Sequence, residues 1–121
     1  MIFPLQIEFH NTEPMEAVES RIRQELAEFE KFYDRLLSCR VEVEAPKHDR
    51  RGSLSKVRID LGVPAKDAAT PATLRGTEAN HDTEHLEVRA QRKDASMAVH
   101  AAFNVARRRL KEFTGVSYKH H

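Results

Sequence analysis

With 121 residues, 40% of them hydrophobic and 32% charged, the chain has the make-up of one soluble domain whose core must use most of its regular structure. It contains no run of 18 apolar residues, which excludes a helical membrane span, and the N-terminal MIFPLQIEF lacks a basic region and is broken by Glu8, so it does not read as a signal peptide. The net charge of +1, from 20 Lys and Arg against 19 Asp and Glu, excludes the uniformly basic or acidic classes and leaves the placement of charge as the signal.

Leu5, Ile7 and Phe9 alternate with Gln6, Glu8 and His10, which predicts a first strand with one apolar face. Asn11 and Thr12 then offer cap chemistry and Pro14 suits a first helical turn, so a helix is expected over 13–33. Its apolar side carries Val18, Ile22, Leu26, Phe29 and Tyr33. Its outer surface reads as acidic, with Glu13, Glu16, Glu19, Glu25, Glu28 and Glu30 outnumbering Arg21, Arg23 and Lys31. A second strand turns Cys39, Val41, Val43 and Ala45 inward and Arg40, Glu42 and Glu44 outward. The lone Cys39 has no partner for an internal disulfide, and an inward position suits a buried structural thiol. Segment 46–56, PKHDRRGSLSK, breaks the alternation and reads as a hairpin connection with a basic tip. The third strand places Val57, Ile59, Leu61 and Val63 inward, with Lys56, Arg58 and Asp60 outward.

From 64 to 84 the apolar period disappears, which predicts a long mobile loop with room for a short strand at 72–74. A fourth strand follows, with Leu86, Val88 and Ala90 on one face and Glu87, Arg89 and Gln91 on the other, and it ends in Arg92 and Lys93. Asp94 is placed to cap a second helix whose stripe is Val99, Phe103, Ala106, Leu110 and Phe113. Arg107, Arg108, Arg109 and Lys111 gather toward its C-terminus, where cations suit the helix dipole. The tail 115–121, ending in His120 and His121, is expected to fray.

Four strands with single-sided alternation need cover on one face only, and two amphipathic helices are the available cover. The reading is therefore α+β: a two-layer β-α-β-β-β-α sandwich, a four-stranded mixed sheet with two helices on one face, formed by 1–121 as a single domain. A right-handed strand-helix-strand crossover makes the second strand parallel to the first, and hairpins supply the other pairings.

No catalytic apparatus is visible. His81, Asp82, Glu84 and His85 form HDTEH, which lacks the H-E-x-x-H order and reads as loop histidines; no metal site is expected. Glu42 and Glu44 share a strand face without an assignable partner histidine, and there is no Gly-rich phosphate loop. No enzyme activity, cofactor or small-molecule substrate follows. Phe9, Phe29, Phe103 and Phe113 sit on core-facing stripes, which argues against an RNA reader that stacks bases on its sheet. The remaining chemistry is cationic: Lys47, Arg50 and Arg51 at the hairpin tip, Lys56, Arg58 and Arg89 on the open face, Arg92 and Lys93 before the last helix, and Arg107, Arg108 and Lys111 on it. Such groups bind RNA phosphates by displacing counterions; the blander account is surface charge neutralised by Glu42, Glu44, Asp60 and Glu87 across the sheet.

The element order and the segments EFEKFYDRLLSCRVEVEAP, VRIDLGVP and DASMAVHAAFNVARRRL make the chain similar to the ribosome hibernation promoting factor and ribosome-associated inhibitor family, over nearly its whole length outside 64–84. Asp94 matches the family's acidic start of the second helix, Ala98 and Val99 its Ala-Ile pair, and Arg108 with Leu110 its Arg-x-apolar ending. Ser96 stands where the family commonly has Tyr, and the acidic first helix and long loop are further departures. No additional C-terminal dimerisation domain follows the second helix, so the chain resembles the short class. The resemblance implies a cytoplasmic stress factor that binds small-subunit rRNA near the decoding channel and blocks messenger and transfer RNA sterically. The alternative is a protein–protein adaptor of the same fold, using the acidic first helix and long loop; a metal-dependent hydrolase built on His81 and His85 is a distant third. The ribosome reading requires Arg50, Arg51, Arg89, Lys93 and Arg108 to share an exposed surface. The adaptor reading predicts a charge-balanced sheet, and the hydrolase needs a third ligand beside the two histidines.

Overall fold

The computed structural model describes residues 3–46, 53–65 and 83–114, without the side chains of 113 and 114. The elements run β1 (Leu5–His10), α1 (Glu16–Phe32), β2 (Ser38–Glu44), β3 (Ser55–Pro64), β4 (Thr83–Arg92) and α2 (Ala95–Thr114). This is the expected β-α-β-β-β-α order, and the strands lie side by side as β1-β2-β3-β4. β1 pairs parallel to β2, as the crossover argument requires, while β2 with β3 and β3 with β4 are antiparallel.

Both helices sit on one face. α2 lies over β3 and β4, and α1 packs against α2. Val41, Val43, Val57, Ile59, Leu61, Val63, Leu86 and Val88 close onto Ile22, Leu26, Phe29, Val99, Phe103 and Leu110, nearly all of them without solvent access. Phe29 meets Phe103 edge to face across the helices, with ring centroids 6.1 Å apart, and Phe32 in the same manner at 5.8 Å. The apolar side chains of edge strand β1, Leu5, Ile7 and Phe9, are only half-buried. Cys39 is buried as expected, and burial, with a smaller contribution from nearby Asp60, pushes its thiol up to about 12, so it remains a protonated, inert core group.

Several element ends differ from the sequence expectation for local reasons. α1 begins at Glu16 rather than 13. Asn11 takes a left-handed turn (φ 65°), and Glu13, preceding Pro14, is biased away from helical backbone, so neither can start a helix. Met15 is the N-cap without a side-chain cap, its carbonyl accepting from the amides of Val18 and Glu19 at 3.0 and 2.9 Å. α2 behaves as predicted: Asp94 Oδ1 accepts from the backbone N–H groups of Ser96 (2.7 Å) and Met97 (3.3 Å). Ala45 falls just beyond β2, its amide donating to the His10 carbonyl at 3.1 Å. β3 runs through Pro64 and β4 starts at Thr83, so the expected loop 64–84 is shorter at both ends. The suggested strand at 72–74, most of the loop and the tail 115–121 lie outside the described residues. Gly62, between Ser38 of β2 and His85 of β4 in the register, sits where a Cβ would strike the Ser38 hydroxyl, which is why the strand has glycine there.

Candidate nucleic-acid interface

Strand register brings the outward side chains into three rows across the sheet: Gln6–Arg40–Asp60–Glu87, Glu8–Glu42–Arg58–Arg89 and His10–Glu44–Lys56–Gln91. The rows interlock through ion pairs. Arg40 reaches Glu8 (2.9 Å) and Glu42 (3.3 Å); Arg58 reaches Glu42 (3.4 Å) and Glu87; Arg89 reaches Glu87 (3.3 Å). The hydrogen bond from Arg89, with attraction from Arg58, holds the Glu87 carboxyl below the usual range, and the bond to Glu8 raises Arg40 further. The ring nitrogen Nε2 of His10 lies 3.6 Å from Glu8 and 3.7 Å from Glu42, and His85 donates from Nδ1 to Asp60 at 2.8 Å. Five carboxylates, Glu8, Glu42, Glu44, Asp60 and Glu87, thus share the open face with Arg40, Lys56, Arg58 and Arg89, of which all but Lys56 are ion-paired there, and the open sheet is close to balanced in charge.

One end of the sheet differs. Lys56 stands opposite Glu44 and Gln91 where β3 begins, and Arg92 and Lys93 complete β4 and its turn into α2. None of these three has an ion-pair partner among the described residues; Arg92 Nη1 donates to the Gln91 carbonyl at 2.6 Å. The β2–β3 connection carrying Lys47, Arg50 and Arg51 leaves and re-enters the sheet at this same end, although those three residues lie outside the described ones. Arg108 and Lys111 are exposed on α2, about 20 Å further along the helix. Arg89, 73% exposed at its side chain, points to the open face because Val88 and Ala90 point inward, whereas Arg108 belongs to the helix layer. The cations expected on one surface are therefore spread over the sheet face, its end and the helix layer.

Arg107 is drawn between the helices by Glu25, at 3.6 Å. Glu25 itself corrects the sequence reading: assigned to the acidic outer surface, it is buried, 7% exposed. His100 donates from Nδ1 to its carboxylate at 2.7 Å, with Nε2 at 3.2 Å from the Asn104 amide nitrogen; Arg21 approaches the same carboxylate at 3.7 Å. The signal was present in the spacing, since Glu25 follows Ile22 by three residues and precedes Phe29 by four, on the buried stripe.

Of the HDTEH motif, His81 and Asp82 lie outside the described residues, while Glu84 and His85 belong to β4 rather than to a loop. Among the described residues the donor atoms of Glu8, His10 and Glu42 lie within 4.8 Å of one another, but Arg40 already neutralises both carboxylates. No helix among the described residues is long and apolar enough to cross a membrane.

Comparison with known proteins completes the site. The sequence model of the family described as Sigma 54 modulation protein / S30EA ribosomal protein matches residues 5–115. The N-terminal domain of Thermus thermophilus Protein Y is similar in structure, with a TM-score of 0.61 and 15% identity over 88% of this chain and 92% of that one. A ribosomal subunit interface protein from Coxiella burnetii superposes with a TM-score of 0.67 and 10% identity, covering 91% of this chain and 96% of that one. At such identities the likeness is one of fold. No curated protein matches the chain in sequence.

Proposed function

Since the chain belongs to the Sigma 54 modulation protein / S30EA ribosomal protein family, the kinship its segments led us to expect, we propose that it is a cytoplasmic, non-catalytic ribosome-associated factor that binds small-subunit rRNA near the decoding channel and inhibits translation by excluding messenger and transfer RNA. The observation that carries this reading is the cationic end of the sheet. Lys56, Arg92 and Lys93 are uncommitted to carboxylates among the described residues, and the connection bearing Lys47, Arg50 and Arg51 springs from the same end. Cations free of internal partners are the ones that gain from releasing the counterions condensed on RNA. Arg108 and Lys111 extend the contact along α2, while Arg58, Arg89 and Arg107 contribute less, because phosphate must displace a carboxylate already in place. Without a base-stacking platform, recognition rests on phosphate charge and RNA shape.

The test is cosedimentation with purified ribosomes across a salt series, comparing the native chain with a Lys56→Glu, Arg92→Glu, Lys93→Glu variant. Binding to the small subunit that weakens with salt and disappears in the variant supports the reading; absence of binding at low salt overturns it. One observation favours a second reading, the protein–protein adaptor: the sheet face has the balanced charge that this reading predicts, and Glu16 and Glu28 are exposed on α1. In that case a basic protein partner is retained by the native chain and lost when Glu16 and Glu28 are changed to Lys.

A further inference from the structure

The helix layer carries a groove of about 450 Å³ that shares Arg92 and Arg108 with the proposed ribosome contact but has an apolar floor outside it. Its floor is an apolar strip of α2: Met97, Ala101 and Val105, spaced by four residues and therefore on one face. Met97 is 58% exposed, the most open of the large hydrophobic side chains described. Around this floor stand Arg21 from α1, Arg92 from the end of β4 and Arg108 further along α2. The lining contains no carboxylate. Glu25, buried behind it, is shared by Arg21 at 3.7 Å, Arg107 at 3.6 Å and the His100 ring at 2.7 Å, so one carboxylate answers two arginines, and Arg92 and Arg108 add to the surplus. The exposed remainder of α1 carries both signs, Glu16 and Glu28 beside Arg23 and Lys31, without such a surplus.

We propose that this groove docks an acidic peptide segment of a partner protein, with an apolar side chain resting on Met97, Ala101 and Val105 and flanking carboxylates paired to Arg21, Arg92 and Arg108. Charge complementarity selects an anionic occupant, and Arg matches carboxylate with two parallel hydrogen bonds. The floor selects peptide over RNA. Single-stranded RNA is held by stacking on aromatic rings; no Phe, Tyr or Trp lines the groove and its one imidazole, His100, is held by Glu25 and Asn104, whereas an exposed Met is an adaptable surface for apolar side chains. From Met97 to Arg108 the helix rises about 16 Å, the reach of about five residues of extended chain. The groove is thus matched to a short motif.

The experiment is fluorescence anisotropy of the native chain with a labelled peptide of Glu and Leu in the repeat Glu-Glu-Leu, beside the same peptide with Ser for Leu and a uridine oligonucleotide of equal charge. The expected result is binding of the Leu peptide, weakened about tenfold or more both by Leu-to-Ser replacement and by Met97→Glu, but retained by Met97→Leu. Equal binding of the Ser peptide, no effect of Met97→Glu, or binding of the oligonucleotide that Met97→Glu abolishes would each overturn the proposal, the last assigning the groove to RNA. Self-association of the chain that Met97→Glu abolishes overturns it in favour of a second copy. Met97 lies outside the proposed ribosome contacts and is exposed, so Met97→Glu is expected to keep both its melting temperature and its cosedimentation with ribosomes; failure of the groove and failure of the ribosome reading are thereby distinguished.

Discussion

The open sheet face and the end of the same sheet hold the same kinds of cation in opposite states. On the face, register sets Arg58 beside Glu42 and Glu87, and Arg40 beside Glu8 and Glu42, so each guanidinium is engaged within the protein. At the end, Lys56, Arg92 and Lys93 stand where the ladder runs out, and although Lys56 is opposite Glu44 none of the three is ion-paired among the described residues. The lesson is that counting basic residues overstates a binding surface. What counts is the cations left over after cross-strand pairing, since an exposed pair is worth little to stability but must still be broken to serve a phosphate.

The largest effect expected from this contrast is on ribosome binding. Changing Lys56, Arg92 and Lys93 to Gln should lower affinity about a hundredfold near physiological salt and reduce the salt slope by between two and three, roughly 0.7 to 0.9 for each phosphate no longer neutralised, whereas Arg58→Gln should change affinity by less than about threefold. Equal losses in cosedimentation would break the comparison. Next comes stability. Glu25→Ala leaves Arg21, Arg107 and His100 facing one another at the helix interface, and denaturant unfolding should register a loss of about 2 kcal/mol, against less than about 1 kcal/mol for Glu42→Ala on the open face. At the cationic end, Asp94→Ala removes the cap that accepts from Ser96 and Met97 and should cost about 1 kcal/mol in the same measurement.

The smallest effect concerns acid. Because Glu87 is held below its ordinary range by Arg89 and Arg58, its contribution is present above the unfolded-state carboxyl range and is lost as pH falls through the lower folded value. Thermal melting from neutral to acid pH should therefore fall less steeply for Glu87→Gln than for the native chain. An unchanged slope would mean that the pairs on the sheet face are too well screened to couple to folding.

Much of this architecture is legible in residue spacing. Val57, Ile59, Leu61 and Val63 against Lys56, Arg58 and Asp60 state a strand and its two faces outright, and Asp94 before an i, i+4 stripe states a helix start. The start of α1 was harder, since Asn11, Thr12 and Pro14 suit a cap in composition while the left-handed turn at Asn11 defers the helix to Glu16. The site was less legible than the fold. Arg107 and Arg108 are neighbours in sequence, yet one is drawn into the helix pair by Glu25 and the other lines the groove on the helix layer.

The sequence by itself determined the element order, the buried face of every strand and the parallel first pair, because periodicities of 2 and 3.6 and the handedness of a crossover act over short stretches of chain, and its segments carried the resemblance to the family. Only the tertiary structure decided which charges remain available. Glu8 meets Arg40 across 32 residues and Glu25 meets His100 across 75, and such pairings depend on register and helix packing, which no local pattern encodes.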